Sequence, residues 1–537
     1  IKLACHLLLL ILGFVTSYFL AYSVNRMRRR LIFFSYQQFW KGLADNELEE
    51  ALRVKWNLNP ATNVIIFIGD GMGPNTVTAT RIYKGGETHR LAYEKFPHMG
   101  LLKTYSANKI VPDSACTATA MFCGVKTNQD TIGVDATVKR NDCDASLNPD
   151  ARLQSLAALV HNLPGFVTTM RVTHATPGPI YAHSANRNWE CEARMPEGTA
   201  CKDIARQLVE DWPGRDLHVI MGGGRQALVS NSTGTPIDPI SKDWWTCYRQ
   251  DGRNLINAYR NDKNRRGLKH SVVSNNQELE DLDVENTDYL MGIFSNEHLS
   301  YDHQRHKGPD GMPSLSDMVK AAIRVLQKNE KGYFLMVEGG NVDMAHHRGW
   351  ARRAVDEAAA LETAVQVAAN MTDDEDTLLI VTSDHTHTLN INGYPDRGSS
   401  IFGIAGPSSA DGINYTTLSY SNGGPGSFQF SVKTDDDGSS KVVRRDPSTE
   451  DTESFDYNQV AGIELVENSH GGGDVAIYAR GPHSHLFHNV HEQHYVFHAI
   501  SYAAKIGAYS AAPTVTVNLW HLCITTSIAI LFTMMKN

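Results

Sequence analysis

Along the middle of the chain one arrangement of apolar and polar positions repeats. A short run rich in β-branched residues leads straight into Gly, Asp, Glu or His. Val64–Ile68 runs into Gly69-Asp70-Gly71, Tyr333–Val337 into Glu338-Gly339-Gly340, and Leu378–Thr382 into Asp384-His385-Thr386-His387. Asp474–Ala479 follows His470-Gly471-Gly472-Gly473. Continuous apolar runs of this length predict strands covered on both faces. Stretches with helical spacing, such as Ser316–Lys328 and Arg352–Ala369, lie between them. The alternation predicts an α/β fold, doubly wound, with a largely parallel central sheet and helices on both faces. Sites in such sheets form beyond the carboxyl ends of the strands. The polar residues past three strand ends are therefore expected to converge on one cleft.

Any single Asp or His in these positions reads most simply as a turn residue or a cap. The set resists that reading. Asp343 and His347 are spaced i, i+4 and share a face if helical, and Asp384-His385 puts a carboxylate and an imidazole on one turn. So many charged and imidazole groups at strand ends would be costly unless cations held them. A second constellation is Pro112-Asp113-Ser114-Ala115-Cys116-Thr117-Ala118-Thr119-Ala120. Its small residues suit a tightly packed helix with Ser114 in the first turn, in the positive field of the N-terminus and beside free N–H groups.

Composition narrows the class. The 537 residues are 42% hydrophobic and 20% charged, an ordinary globular balance. Fifty basic against 59 acidic residues, without a basic patch, argue against a nucleic-acid partner. Of eight Cys, Cys5 and Cys523 fall in apolar end segments, and Cys116 and Cys123 read as buried free thiols on one helix. Cys143, Cys191, Cys201 and Cys247 remain, enough for two disulfides in an oxidising compartment, with the pairing open.

The ends point to export. Leu3–Ala21 is apolar and followed by Arg26, Arg28, Arg29 and Arg30, which fits a secretory signal, a signal anchor or a start at Met27. Small residues at Ser510-Ala511-Ala512, a spacer over Pro513–His521 and the apolar run Leu522–Met535 have the order of a GPI-attachment signal, with attachment at Ser510. That run is shorter than the ~20 residues a membrane span needs. Asn231, Asn370 and Asn414 open glycosylation sequons.

Four motifs in order resemble alkaline phosphatase: Val64-Ile-Ile-Phe-Ile-Gly-Asp70-Gly-Met-Gly, Val111-Pro-Asp-Ser114-Ala-Cys-Thr-Ala-Thr-Ala, Val337-Glu338-Gly-Gly-Asn-Val-Asp343-Met-Ala-His-His347 and Val381-Thr-Ser-Asp384-His385-Thr-His387. The similarity runs from about Val54 to about Gly507 and includes Gly393-Tyr-Pro-Asp-Arg-Gly-Ser-Ser, typical of animal members. The resemblance implies a homodimer, GPI-anchored at the cell surface, that hydrolyses small-molecule phosphate monoesters at alkaline pH through a phosphoserine on Ser114.

It further implies two zinc ions, one on Asp343, His347 and His470 and one on Asp70, Asp384 and His385. A magnesium ion would sit on Asp70, Thr176 and Glu338, and Arg187 would grip phosphate. Asp113, His174 and His387 are expected to support these groups, His387 by hydrogen-bonding Asp343. Met344 stands where other members carry His or Lys, so it is expected at the rim of the phosphate site. Cys143–Cys201 matches a cysteine pair of animal members, which leaves Cys191–Cys247.

The implied organisation is an N-terminal signal or anchor over 1–34, a catalytic core over 35–391 and 469–507, a variable surface insert over 392–468 with flexible Gly-, Ser- and Asp-rich loops, and the attachment signal over 508–537. Two other functions compete: a weakly catalytic binding receptor on the same fold, and a related phosphodiesterase or sulfatase. The nucleophile and every expected ligand are present, which argues against the first. The second would need another nucleophile motif.

Overall fold

The structure is a computed structural model that describes residues 37–160 and 163–510. The expected N-terminal segment over 1–34 and nearly all of the C-terminal attachment signal lie outside the described residues. A helix over 37–53 belongs to a separate N-terminal unit, and the unit that begins at Asn57 carries the sheet and the site.

That sheet is built from β1 (Asn63–Gly69), β2 (His98–Lys103), β3 (Leu163–Arg171), β4 (Val219–Gly223), β5 (His270–Val273), β6 (Tyr289–Ile293), β7 (Tyr333–Gly339), β8 (Thr377–Ser383), β9 (Val475–Arg480) and β10 (Asn489–Glu492). Their spatial order is β10-β2-β9-β8-β1-β7-β3-β4-β6-β5. The fold is thus α/β with a large, mostly parallel sheet. β1 shows why its run is apolar throughout. Val64, Ile66 and Ile68 point into one core and Ile65 and Phe67 into the other. The first core packs against the helices Ser114–Cys123, Ile204–Glu210, Leu255–Arg265 and Tyr495–Ala503, the second against Pro74–Gly85, Leu315–Leu326 and Ala351–Met371. Leu315–Leu326 opens on a capping box, with Ser314 Oγ accepting from Asp317 N at 3.1 Å and Asp317 Oδ2 accepting from Ser314 N at 3.2 Å.

One strand breaks the parallel pattern. β9 runs antiparallel to both β8 and β2. Its N-terminal end therefore lies at the edge where the parallel strands have their carboxyl ends. This reversal is why His470 precedes its strand, whereas Asp70, Glu338 and Asp384 lie at or just past the ends of theirs.

Residues 392–468 add no strand to the central sheet. They form the hairpins Ile404–Pro407 with Asn414–Thr416 and Phe430–Thr434 with Ser440–Arg444, and most of a three-stranded sheet of Leu389–Ile391, Leu418–Gly423 and Ala461–Glu464. Leu389, Phe402, Leu418 and Tyr420 pack on Ala79, Ala351 and Val355 of the core helices. The stretch around Asp435-Asp436-Asp437-Gly438, expected among flexible loops, is the turn of a hairpin. Gly438 takes a φ of 81°, Asp435 N donates to Ser439 O at 2.8 Å, and β-branched Val432, Val442 and Val443 supply the flanking strands.

Disulfides join Cys143 to Cys201 and Cys191 to Cys247, and Cys116 and Cys123 are free and buried. Asn231 and Asn370 are exposed, whereas Asn414 is half-buried in a hairpin strand. Ser510 is exposed and follows the short turn Gly507–Tyr509. No helix among the described residues is long and apolar enough to cross a membrane.

Candidate active site

The carboxyl edge of the sheet gathers the residues singled out above. Asp70 follows β1, Glu338 ends β7, Asp343 and His347 lie on the short helix Asn341–His347 just beyond it, and Asp384, His385 and His387 follow β8. His174 and Thr176 lie in the turn after β3, and His470 approaches ahead of β9. Three groups of metal-suited donors result: Asp343, His347, His387 and His470; Asp70, Asp384 and His385; and Asp70, His174 and Glu338.

The imidazole orientations reveal what these groups are set to hold. His347 Nδ1 lies 2.7 Å from the carbonyl of Asn468, His470 Nδ1 2.8 Å from that of Pro112, and His385 Nδ1 3.3 Å from that of Thr386. A carbonyl only accepts, so each Nδ1 carries a proton and each neutral ring turns an Nε2 lone pair inward. There the lone pairs meet other acceptors. The Nε2 atoms of His347 and His470 are 3.1 Å apart, and both lie near Asp343, at 3.3 and 3.4 Å. His385 Nε2 is 3.3 Å from both Asp70 Oδ1 and Asp384 Oδ2. Acceptors facing acceptors repel, and a cation turns that repulsion into binding. In the bare protein a proton can take that place at His347. Burial opposes the charge there, but Asp343, with Glu467 and the Asn468 carbonyl, outweighs it and raises the ring's pKa to about 9. His385, by contrast, is pushed well below the ordinary histidine range by burial and then by His470.

His387 plays a different part. Its Nε2 lies 2.5 Å from Asp343 Oδ1 and its Nδ1 2.7 Å from Asn468 Oδ1, so the ring bridges the two side chains and, with its proton on Nε2, donates to the Asp343 carboxylate. Asn468 itself was not singled out by the sequence. Its amide donates to Thr388 Oγ1 and to the carbonyl of Asn422, both at 2.6 Å, which aims Oδ1 at His387. One side chain and its backbone thus orient two histidines. Its only sequence signal is its place two residues before His470, in a stretch rich in turn formers. Asn468→Ala is expected to weaken metal binding at this group by ~10–100-fold. Titration against a chromophoric chelator measures this, and unchanged affinity in a folded variant counts against the role.

The third group is richer in oxygen. Asp70 Oδ2, Thr176 Oγ1 and Glu338 Oε1 are buried without hydrogen-bond partners, an arrangement suited to a hard, oxygen-seeking cation. His174 is close but differently disposed. Arg187 Nη2, which can only donate, lies 3.2 Å from His174 Nε2, so the ring proton sits on Nδ1. That edge is a donor, fit to hold a cation's water rather than the cation.

Ser114 begins the helix Ser114–Cys123, with Oγ 3.4 Å from Asp70 Oδ1 and 3.2 Å from His385 Nε2. Asp113 caps that helix, accepting from Ala115 N at 3.2 Å, and its Oδ2 also accepts from Arg187 Nη1 at 3.0 Å. Burial opposes the Asp113 charge, but Arg187 together with hydrogen bonds from Asp130 N and Cys116 outweighs it and holds the carboxyl below its usual range. The serine and the arginine are thus fixed by one carboxylate. Both open on a cavity of about 260 Å³, whose wall also includes His174, Asp343, Met344 and His470. Met344 therefore faces the cleft. Trp244, Trp245 and Glu467 are also on that wall, three residues that no pattern in the sequence singles out.

The alkaline phosphatase family model matches residues 61–506. The tissue-nonspecific alkaline phosphatase of Gallus gallus is 42% identical over 504 residues, covering 90% of this chain and 93% of that protein. The membrane-bound alkaline phosphatase of Bombyx mori is 38% identical over 487 residues, covering 87% and 85%. Among solved structures, alkaline phosphatase from the Antarctic bacterium TAB5 superposes with a TM-score of 0.56 at 22% identity, over 84% of this chain and 99% of that one. With the family's match spanning the whole sheet and a cleft built to take cations, this chain belongs to the alkaline phosphatase family and is a metal-using phosphatase.

Proposed function

We propose that the protein hydrolyses phosphate monoesters of broad specificity at alkaline pH through a phosphoserine on Ser114, with two zinc ions and one magnesium ion. The observation that carries the reading is the inward lone pairs of His347, His385 and His470 among carboxylates. Asp343, His347 and His470 would hold one zinc, and Asp70, Asp384 and His385 the other. Asp70, Thr176 and Glu338 would hold magnesium. When bound, these ions supply Lewis-acid stabilisation of the charge on the serine, phosphoryl and leaving oxygens.

The chain's own residues set the geometry. Ser114 Oγ, at the positive end of its helix, gives up its proton to solvent and forms the bond to phosphorus as the ester oxygen departs and takes up a proton from water. Water then attacks the phosphoserine and restores the Ser114 hydroxyl with release of phosphate. Arg187, anchored on Asp113, turns its fork toward two non-bridging oxygens, and its charge selects a doubly ionised monoester. His174 offers its Nδ1 proton toward the oxygen-rich third group. The open mouth of the cleft leaves the alcohol few obligatory contacts, which supports breadth.

The exposed sequons at Asn231 and Asn370, the two disulfides and the order of residues after Ser510 support a glycosylated, GPI-anchored protein of the cell surface. The membrane-bound Bombyx mori relative points the same way, and the family resemblance supports a homodimer. The test is an assay of the zinc- and magnesium-loaded protein on 4-nitrophenyl phosphate and on bis(4-nitrophenyl) phosphate. Turnover of the monoester at least a hundredfold above the diester is expected. A preference for the diester, or no turnover of either, would remove the reading.

A further inference from the structure

We propose that Trp244 is an aromatic platform at the mouth of the cleft, and that the enzyme favours monoesters whose alcohol carries an aromatic ring, nucleotides foremost. The inference rests on the assignment of Ser114 and Arg187 as the phosphoryl end of that cleft. Trp244 and Trp245 line the same cavity as these two residues. Trp244 is 67% exposed, so a large apolar ring is held in water. A lone exposed aromatic needs no explanation, but this one is on the wall of the reaction cleft and is held there from several directions.

The disulfide Cys191–Cys247 closes the segment three residues beyond Trp244. The Arg194 guanidinium donates to the carbonyl of Trp244 and, at 2.8 Å, to that of Thr246. The Trp245 ring lies 5.1 Å from that of Trp244, tilted by 54°, and carries the Arg348 guanidinium 4.6 Å from its centre. Arg348 in turn directly follows the helix that bears Asp343 and His347. Trp245 is thus clamped against the metal side of the cleft and Trp244 against the disulfide side. Such anchoring removes much of the ordering cost of stacking a ring on the platform.

The cleft joins two kinds of lining. Ser114, Arg187 and the imidazoles make one part polar and, with cations bound, suited to a phosphoryl group. Toward the tryptophans it offers π-faces, to which any base can stack without hydrogen-bond readout. An ester with phosphate at one end and a planar ring at the other matches this pairing, whereas an aliphatic ester fills only the polar part.

The test compares AMP with ribose 5-phosphate, which share one leaving alkoxide and differ by the base. In the metal-loaded wild type, KM for AMP is expected to be about 5–20-fold below that for ribose 5-phosphate, a stacking effect at the low end of its usual range because the site is wet. Trp244→Ala should raise KM for AMP by that factor and leave three quantities unchanged: KM for ribose 5-phosphate, both kcat values and inhibition by inorganic phosphate. Trp244→Phe should retain most of the preference, since a smaller π-face remains. Equal KM values in the wild type, or KM values that move together in Trp244→Ala, would overturn the platform while leaving the phosphatase reading intact. A wild type that hydrolyses neither ester would sink the phosphatase reading and this inference with it.

Discussion

Ser114→Ala is expected to lower kcat by at least about 10³-fold while leaving the fold and metal content unchanged, because loss of a nucleophile removes the whole covalent route. The local structure makes this a clean experiment. The side chain of Ser114 makes only two polar contacts, to Asp70 Oδ1 and His385 Nε2. The helix is capped by Asp113, not by Ser114, so the substitution leaves the cap and the Arg187 anchor in place. Stability should move by less than about 1 kcal/mol. The nearby hydroxyl of Thr117 is a poor substitute, since it donates back to the carbonyl of Asp113 at 3.1 Å, within its own helix. Acid quenching of wild-type protein during turnover of a labelled monoester should place phosphate on the Ser114 peptide. Label on Thr117, label nowhere, or a Ser114→Ala variant with near-normal kcat would each defeat the assignment.

What the sequence made legible follows from how local each signal is. The β1, β7 and β8 runs were readable because both of their faces are buried, and the ligands at or just past their ends follow from strand polarity. His470 was harder. It precedes its strand, and only the antiparallel direction of β9 brings it to the same edge, a fact set by pairing with β2 and β8 far away in sequence. Family resemblance, not periodicity, pointed to it. The i, i+4 spacing of Asp343 and His347 did foretell a shared helical face.

Asn468 and Trp244 escaped because nothing periodic marks them. Asn468 acts through a carbonyl and an amide placed by its loop, and Trp244 reaches the cleft because a disulfide and Arg194 draw its segment there. Spacing alone left the four cysteines open to other pairings. In the insert, turn-forming Asp and Gly suggested looseness, yet the alternating residues beside them made strands.

Chelation of the metal-loaded protein is expected to abolish activity and also to make stability strongly pH-dependent. Without a cation Glu338 and Asp384 must stay partly protonated. Burial, the largest cause, raises the Glu338 pKa from 4.5 to about 7, and burial likewise lifts Asp384 to about 6. In the unfolded chain both ionise near their ordinary values. Across pH ~4.5–7 the native apo-protein therefore binds more protons than the unfolded chain, so its stability falls as pH rises. Glu338 alone accounts for a loss on the order of 3 kcal/mol. His347 adds to the trend in the next window. Its folded pKa, raised to about 9, contributes stability that is complete below the unfolded value near 6.5 and lost as pH climbs through 9. A bound cation replaces these protons and cancels both slopes. The gap in Tm between loaded and EDTA-treated protein should therefore widen steadily from about pH 5 to about pH 9. Glu338→Gln keeps the side chain's volume but removes its titration, so in the apo-protein it should reduce the slope of the acid half to the share carried by Asp384 and leave the His347 half. Differential scanning calorimetry at several pH values decides the matter. An apo-protein whose Tm is flat or rises with pH, or a chelated protein as stable as the loaded one at pH 8, would show that these groups do not share a cation.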